Sequence, residues 1–241
     1  MKRLWLIPLA GLVLVAIVSA GVWALVGRGE RLADYYPFEP TGRRWEYEVT
    51  EYRQSTGSIR KGVAVFTALG PGTLDGKPTL VLSVRREFPD EPNAPDANVA
   101  VMNHFTASRE SIDQIAVEWA NVQDPRQGGR VTYSPPLTVA RFPLGPGGTW
   151  EARTQIYSPR EGQPDIRTDS KRLVRIIGRE RVTVPAGAFD AVRIEIQTLS
   201  SLPGNPRTSE SRRIEWRARG IGLVRLTEGP YDLALKSHAR K

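Results

Sequence analysis

Few residues in this chain of 241 are of a type and in a pattern that could carry out chemistry. Cysteine is absent, which removes disulfides, thiolate metal sites and cysteine nucleophiles together and leaves the redox compartment unread. The two histidines are His104 and His238. A serine hydrolase needs a nucleophile elbow and a histidine base, yet no G-x-S-x-G occurs. His104 stands in VAVMNHFTAS, an extended stretch where a lone histidine reads as a packed or surface residue. Asp90, Glu91 and Asp96 form the one acidic cluster in a loop. Prolines separate these acids and the regular short spacing of calcium ligands is missing, so the stretch reads as solvated loop. A carboxylate pair for glycoside cleavage is defined by distance in space, and no such pair is indicated by the sequence. No catalytic residue, metal ligand or cofactor is therefore assigned.

The most ligand-like string is RFPLGPGGTWE at 141–151. A phosphate loop needs free backbone N–H groups, a Lys-Ser/Thr pair and a following helix. Here Pro143 and Pro146 remove donors, no lysine follows, and the next element reads as a strand. A similar string, YPFEPTGRRWE, occupies 36–46. Both read as proline turns that feed a strand, with Trp45 and Trp150 as core anchors.

Basic residues crowd two segments, Lys171, Arg172, Arg175, Arg179 and Arg181 in one and Arg212, Arg213, Arg217 and Arg219 in the other. Single-strand nucleic-acid binders place aromatics on the same face as such cations. In RIEWRAR, Ile214, Trp216 and Ala218 alternate with Arg213, Glu215, Arg217 and Arg219. Trp216 is expected toward the core and the arginines toward solvent, so no nucleic-acid partner is expected. Beyond Gly29 there are 31 bases against 26 acids. This is an ordinary solubility charge, compatible with a salt-sensitive contact to lipid or an anionic envelope polymer.

The elements that would position any site are strands almost throughout. WEYEVTEY, VRIEIQT and RIEWRAR each alternate with a period of two and one polar face, the pattern of half-buried antiparallel sheet. Expected strands are 45–52, 59–69, 79–88, 98–107, 111–119, 130–140, 150–158, 168–184 with a bend at Gly178, 192–198, 213–219 and 221–227. VPAGAF (184–189) reads as a hairpin turn. Pro71–Gly76 is echoed by Pro185–Ala191, and SIDQI (111–115) faintly by GIGLV (220–224), in the same order as the two tryptophan strings. These markers predict an internal repeat, at about 35–120 and 141–228. The expected fold is all-β and antiparallel, two duplicated units forming a curved sheet, a sandwich or an open barrel. A single β domain is expected over 30–241.

The first residues differ from the rest. Leu4 to Gly27 is uncharged, about 36 Å long as a helix, enough to span a hydrocarbon core of about 30 Å. Trp5 and Trp23 fall near its ends, where aromatic rings favour the interface. The expectation is one transmembrane helix within a 1–29 anchor, with contact to the membrane through 4–27. Cleavage after Ala20 is the alternative, but it would leave the apolar GVWALVG on the mature end. Lys2 and Arg3 keep the N-terminus cytoplasmic, so the β domain is expected to be extracytoplasmic, and secreted if the leader is cleaved.

One set of strings is similar to a known family: YPFEPTGRRWEY (36–47), YSPP (133–136), PLGPGGTW (143–150), VTVPAGAFDA (182–191) and GIGLV (220–224). The chain resembles a family of exported bacterial β proteins with a domain of unknown function, over most of 35–227. Where that family has an aromatic pair before its last motif, this chain has Trp216 followed by Arg217. The resemblance implies architecture and supplies no catalytic residues. The resulting expectation is a membrane-anchored, non-catalytic protein of the cell envelope. It binds an apolar or amphipathic ligand on the faces of its sheets, or an envelope partner. The alternatives are a hydrolase of envelope polymers using carboxylates, and a purely structural module.

Overall fold

Period-two alternation becomes strand wherever it occurs. A computed structural model describes residues 30–38, 41–53, 56–91, 99–121, 128–160, 163–205 and 207–239. A short helix, α1 (Leu32–Tyr35), precedes β1 (Arg44–Arg53), β2 (Ser58–Leu74), β3 (Lys77–Glu87), β4 (Val99–Ala107), β5 (Ser111–Asn121) and β6 (Gly128–Arg141). The chain continues through β7 (Thr149–Arg160), β8 (Gln163–Val184), β9 (Gly187–Ser201), β10 (Thr208–Ala218), β11 (Gly222–Glu228) and β12 (Tyr231–Ala239). Chain neighbours pair in sequence, and β12 returns to pair with β1 from Arg44↔Ala239 to Glu51↔Tyr231. The pairing is antiparallel and the sheet is a closed barrel.

Closure corrects the expectation of a curved sheet, sandwich or open barrel. The reason is β12, which is absent from the strands expected from sequence although YDLALKSHA alternates Tyr231, Leu233 and Leu235. This strand supplies partners to the free edges of β1 and β11 and so removes both edges. Residues 1–29, and with them the expected anchor, lie outside the described residues. No helix among the described residues is long and apolar enough to cross a membrane, which says nothing of crossing by strands.

The outer face is a surface for water. Lys171 and Arg153 pair with Glu151, Arg175 and Arg193 with Glu195, Arg225 with Asp232, and Lys236 with Glu46. A barrel that spans a membrane carries an outward apolar band and a polar lumen. Here the ion pairs just named lie on the outer face, while the interior is mixed, with Trp45, Tyr47, Phe66 and Leu82 beside Arg213, Glu215 and Arg217.

Two strands are too long for the wall and bend at a bulge. In β2 the register shifts between Ala68 and Gly70, and in β8 between Ile176 and Gly178, the bend expected at Gly178. Beyond each bulge the hairpin continues and is tied to a later strand. The β2–β3 turn reaches β6 through Asp75 and Arg130. The β8–β9 turn reaches β12 through Ala186 N–H, which donates to the Leu235 carbonyl at 2.9 Å. Trp45 and Trp150 each stand second in their strands, β1 and β7. Trp45 is buried at 4% exposure, with Nε1 donating to the Ile221 carbonyl at 2.7 Å, whereas Trp150 packs half-buried at the edge of a second cluster.

One close approach shows how tightly the wall turns. A Cβ on Gly62 in β2 would lie 2.5 Å from the Glu87 carbonyl oxygen and 2.6 Å from the Phe88 ring. Since backbone cannot yield as a flexible side chain can, Gly62→Ala is expected to cost about 1–3 kcal/mol. Urea denaturation measures this, and an unchanged midpoint would contradict the contact.

Candidate functional site: an amphipathic cavity inside the barrel

Small barrels of about eight strands fill their interior with side chains, and the diameter grows with strand number. Twelve strands leave more room, which this chain fills at one end only. After α1, the segment through Phe38 enters the barrel, and Leu32, Tyr35, Tyr36 and Phe38 are all buried. They pack with Phe105, Ile112, Leu144, Val174 and Ile194, and the rings of Phe38 and Phe105 lie 5.1 Å apart. Gly220 N–H donates to the Asp34 carbonyl at 2.7 Å, which fixes this plug to the β10–β11 turn.

Beyond the plug lies a cavity of about 810 Å³ that reaches Gly229, Pro230 and Tyr231 at the opposite end. Its two sides differ. Phe66, Leu82, Val84, Val101 and Val117, from β2 to β5, make a mostly apolar wall, interrupted by Arg86, Asn103 and Gln114. Arg172 of β8, Arg213, Glu215 and Arg217 of β10 and Glu228 of β11 make a charged one. In the strand order β8 to β10 stand across the barrel from β2 to β4, so the two walls face each other.

The charged wall is built from alternation along β10. Arg213, Glu215 and Arg217 project inward at successive inward positions, an arrangement in which opposite charges neutralise one another on one face. Glu215 receives Arg217 Nε at 2.7 Å and lies 3.5 Å from Arg213 Nη1. Arg213 Nη2 also donates to Glu228 at 2.6 Å. Arg217 further stacks on Tyr36, its guanidinium carbon 3.7 Å from the ring centroid, and Nη1 donates to the Tyr35 carbonyl. The network therefore joins the wall to the plug.

Electrostatics follow from depth and partners. Burial would raise the Glu215 carboxyl, but Arg217 and Arg213 outweigh it and hold it below its ordinary 4.5. Burial would lower Arg213 and Arg217, and the facing carboxylates reverse this for both. Arg172 is the exception. Burial and then repulsion from Arg213 push it down, and its Nε is buried with no hydrogen-bond partner among the described residues. Arg172 and Arg213 line the cavity and keep some accessible surface. Burial carries the Tyr36 hydroxyl to about 12, against the pull of Arg217.

This corrects the expected facing of β10. The alternation is as read, but Arg213 and Arg217 face inward and Trp216 faces outward. There Trp216 donates through Nε1 to Glu180, with Arg193 and Arg225 against its ring. The assumption that apolar means inward fails because an ionic ladder, neutralised once Glu228 of β11 joins it, is what this interior buries. The signal was the i, i+2 order Arg-x-Glu-x-Arg, which places opposite charges side by side on one face.

The other candidates are dispersed. His104 is buried in the wall, 3.4 Å from Thr79 Oγ1 and 3.2 Å from Glu118. Glu91 pairs with Arg53 at 2.6 Å, Asp90 is exposed, and Asp96 lies outside the described residues, as does the terminal flank beyond 239. His238 stands opposite Trp45 near the end of β12. Of the two basic segments, Arg172, Arg212, Arg213 and Arg217 line the cavity, Arg212 paired there with Glu210, while Lys171, Arg175, Arg181 and Arg219 pair with acids elsewhere. RFPLGPGGTWE connects β6 to β7, with Gly147 N–H bonded to the Ile176 carbonyl.

Fold and site together define a closed antiparallel β barrel, plugged at one end, with an amphipathic interior and a charged exterior. A family model described as DUF3108-like matches residues 152–232, a stretch that includes VTVPAGAFDA and GIGLV. No curated protein matches the chain. A solved structure from Bacteroides fragilis, provisionally described as an exported protein with a YmcC-like fold, is 12% identical with a TM-score of 0.51. That alignment covers 83% of this chain and 97% of the other, and shows the fold alone. A second, from Parabacteroides distasonis and provisionally described as a lipoprotein, is 16% identical with a TM-score of 0.47, covering 83% and 96%.

Proposed function

We propose that this protein is a non-catalytic, extracytoplasmic component of the cell envelope, held to the membrane by residues 4–27, whose barrel encloses an apolar or amphipathic ligand. The observation that carries this reading is the cavity of about 810 Å³ with a mostly apolar wall, within the size range of small-molecule sites. Location outside the cytoplasm is supported by the basic start and uncharged leader, and by the fold shared with a protein provisionally described as exported. The hydrolase alternative gains nothing from the inward carboxylates. A glycosidase acid must hold its proton near neutral pH, whereas Glu215 is kept ionised by two arginines.

The same reading takes the barrel as a duplicated six-stranded unit. Trp45 and Trp150 open β1 and β7, the bulges at Gly70 and Gly178 lie in β2 and β8, and the tips tied to β6 and β12 are those of β2–β3 and β8–β9. Each pair stands six strands apart.

Native mass spectrometry of the full chain, extracted in mild non-ionic detergent, tests both parts. The expected spectrum has the mass of a chain beginning at its first residues, with a co-purifying amphiphile. A bare protein mass after gentle extraction would overturn the ligand reading, and a chain starting at Gly21 would overturn the anchor.

A further inference from the structure

We propose that the barrel selects amphiphiles with an anionic headgroup, a carboxylate or phosphate seated on Arg172, with the tail along the wall formed by β2 to β5. The inference rests on the ligand reading above and adds the polar end of the molecule. Five guanidinium groups, of Arg86, Arg172, Arg212, Arg213 and Arg217, line the cavity with three carboxylates, of Glu210, Glu215 and Glu228. All three carboxylates are engaged by Arg212, Arg213 or Arg217, so the remaining positive charge falls on Arg172 and on Arg86, which lies over the Tyr231 ring at the end of the cavity. No ion pair to Arg172 occurs among the described residues and its Nε is buried without a hydrogen-bond partner, which is costly for a half-buried cation unless an anion joins it.

The surroundings suit a headgroup. Tyr133 and Ser211 line the same cavity and add hydroxyl donors to it, and the planar guanidinium of Arg172 matches the oxygen geometry of carboxylate and phosphate. Burial of Tyr133 raises its hydroxyl, opposed by Arg172 and Arg213, so it stays a donor at neutral pH. Across the barrel stand Phe66, Leu82, Val84, Val101 and Val117, an apolar surface for a hydrocarbon chain, flanked by Arg86 and by the mutually bonded amides of Asn103 and Gln114. A cationic headgroup would add to an excess of like charge, and a neutral one would leave Arg172 unpaired.

The test uses the full chain in phosphatidylcholine nanodiscs, with empty discs subtracted, and displacement of the neutral dye N-phenyl-1-naphthylamine. The competitors are dodecyl phosphate, dodecanoate, dodecanol and dodecyltrimethylammonium, which share one tail. Both anions are expected to compete at least about tenfold better than dodecanol, the value of one charge-assisted hydrogen bond. Arg172→Gln is expected to bring anions and alcohol within about threefold while leaving the alcohol unchanged, and Arg172→Lys to keep most of the preference. Equal competition by anion and alcohol in the wild type, or an anion preference that survives Arg172→Gln, would overturn the headgroup assignment and leave the ligand reading standing. Failure of the dye and of dodecanol to bind would overturn both. Inorganic phosphate, which lacks a tail, is expected to compete far more weakly than dodecyl phosphate, and equal competition would identify a free anion as the ligand in place of an amphiphile.

Discussion

Glu215→Gln is expected to destabilise the barrel by about 3–5 kcal/mol, the cost of breaking a buried pair by removing one partner. The glutamate side chain is 7% exposed and lies between Arg213 and Arg217, so its loss leaves two cations facing each other in the interior. Its pH dependence has a definite sign. Glu215 has a folded pKa below its ordinary 4.5, so the unfolded state takes up the proton more readily. The stabilisation is complete above 4.5 and is lost as pH falls below it toward the folded value. Urea denaturation of wild type and variant at pH 7, and again in steps below pH 4.5, should show the difference between them shrinking on acidification. A difference that is under 1 kcal/mol at pH 7, or that grows in acid, would mean that the ladder along β10 is not the interaction described.

Truncation after Gly229 is expected to abolish cooperative folding. The loss removes β12 and with it the ladder from Arg44↔Ala239 to Glu51↔Tyr231, together with the pairing of Arg225 to Glu228 with β12. It exposes two sheet edges at once and strips Leu233 and the fully buried Leu235 from the core. Typical domain stability is only about 5–15 kcal/mol, less than a lost core strand of this kind withdraws together with its neighbours' burial. Near-ultraviolet circular dichroism and a thermal melt read the result. A truncated chain that melts in one sharp transition would show that the sheet is stable open, and closure would cease to explain the fold.

Both predictions concern residues whose role was hard to see in the linear chain, and for different reasons. The β12 segment carried a legible alternation, but a final strand has no sequence mark saying that it returns to the first. Pairing of β1 with β12 joins residues almost 200 positions apart, Arg44 with Ala239, and its formation depends on the summed twist and tilt of the strands between. Along β10 the period was legible and the face was not. A set of charges that cancels once Glu228 of β11 joins it can be buried as readily as the isoleucine and tryptophan on the other side, so composition does not decide the facing. The plug behaves likewise. Tyr36, Pro37 and Phe38 read in the sequence as a turn before a strand, and they do precede β1, but Tyr35, Tyr36 and Phe38 are buried because they fill the barrel end.

What the sequence determined by itself is local. Its period of two, its proline and glycine turns and its lack of any helical stripe dictate antiparallel strands, because side-chain alternation and turn conformation are decided by residues a few positions apart. The uncharged leader and its basic start are legible for the same reason. The tertiary structure alone decided that the sheet closes, that its interior is partly hollow, and that Arg172, Arg213, Glu215, Arg217 and Glu228 meet inside it. Those outcomes depend on the circumference of twelve strands and on which wall stands opposite which. They are properties of the closed sheet as a whole, and no window of the chain contains them.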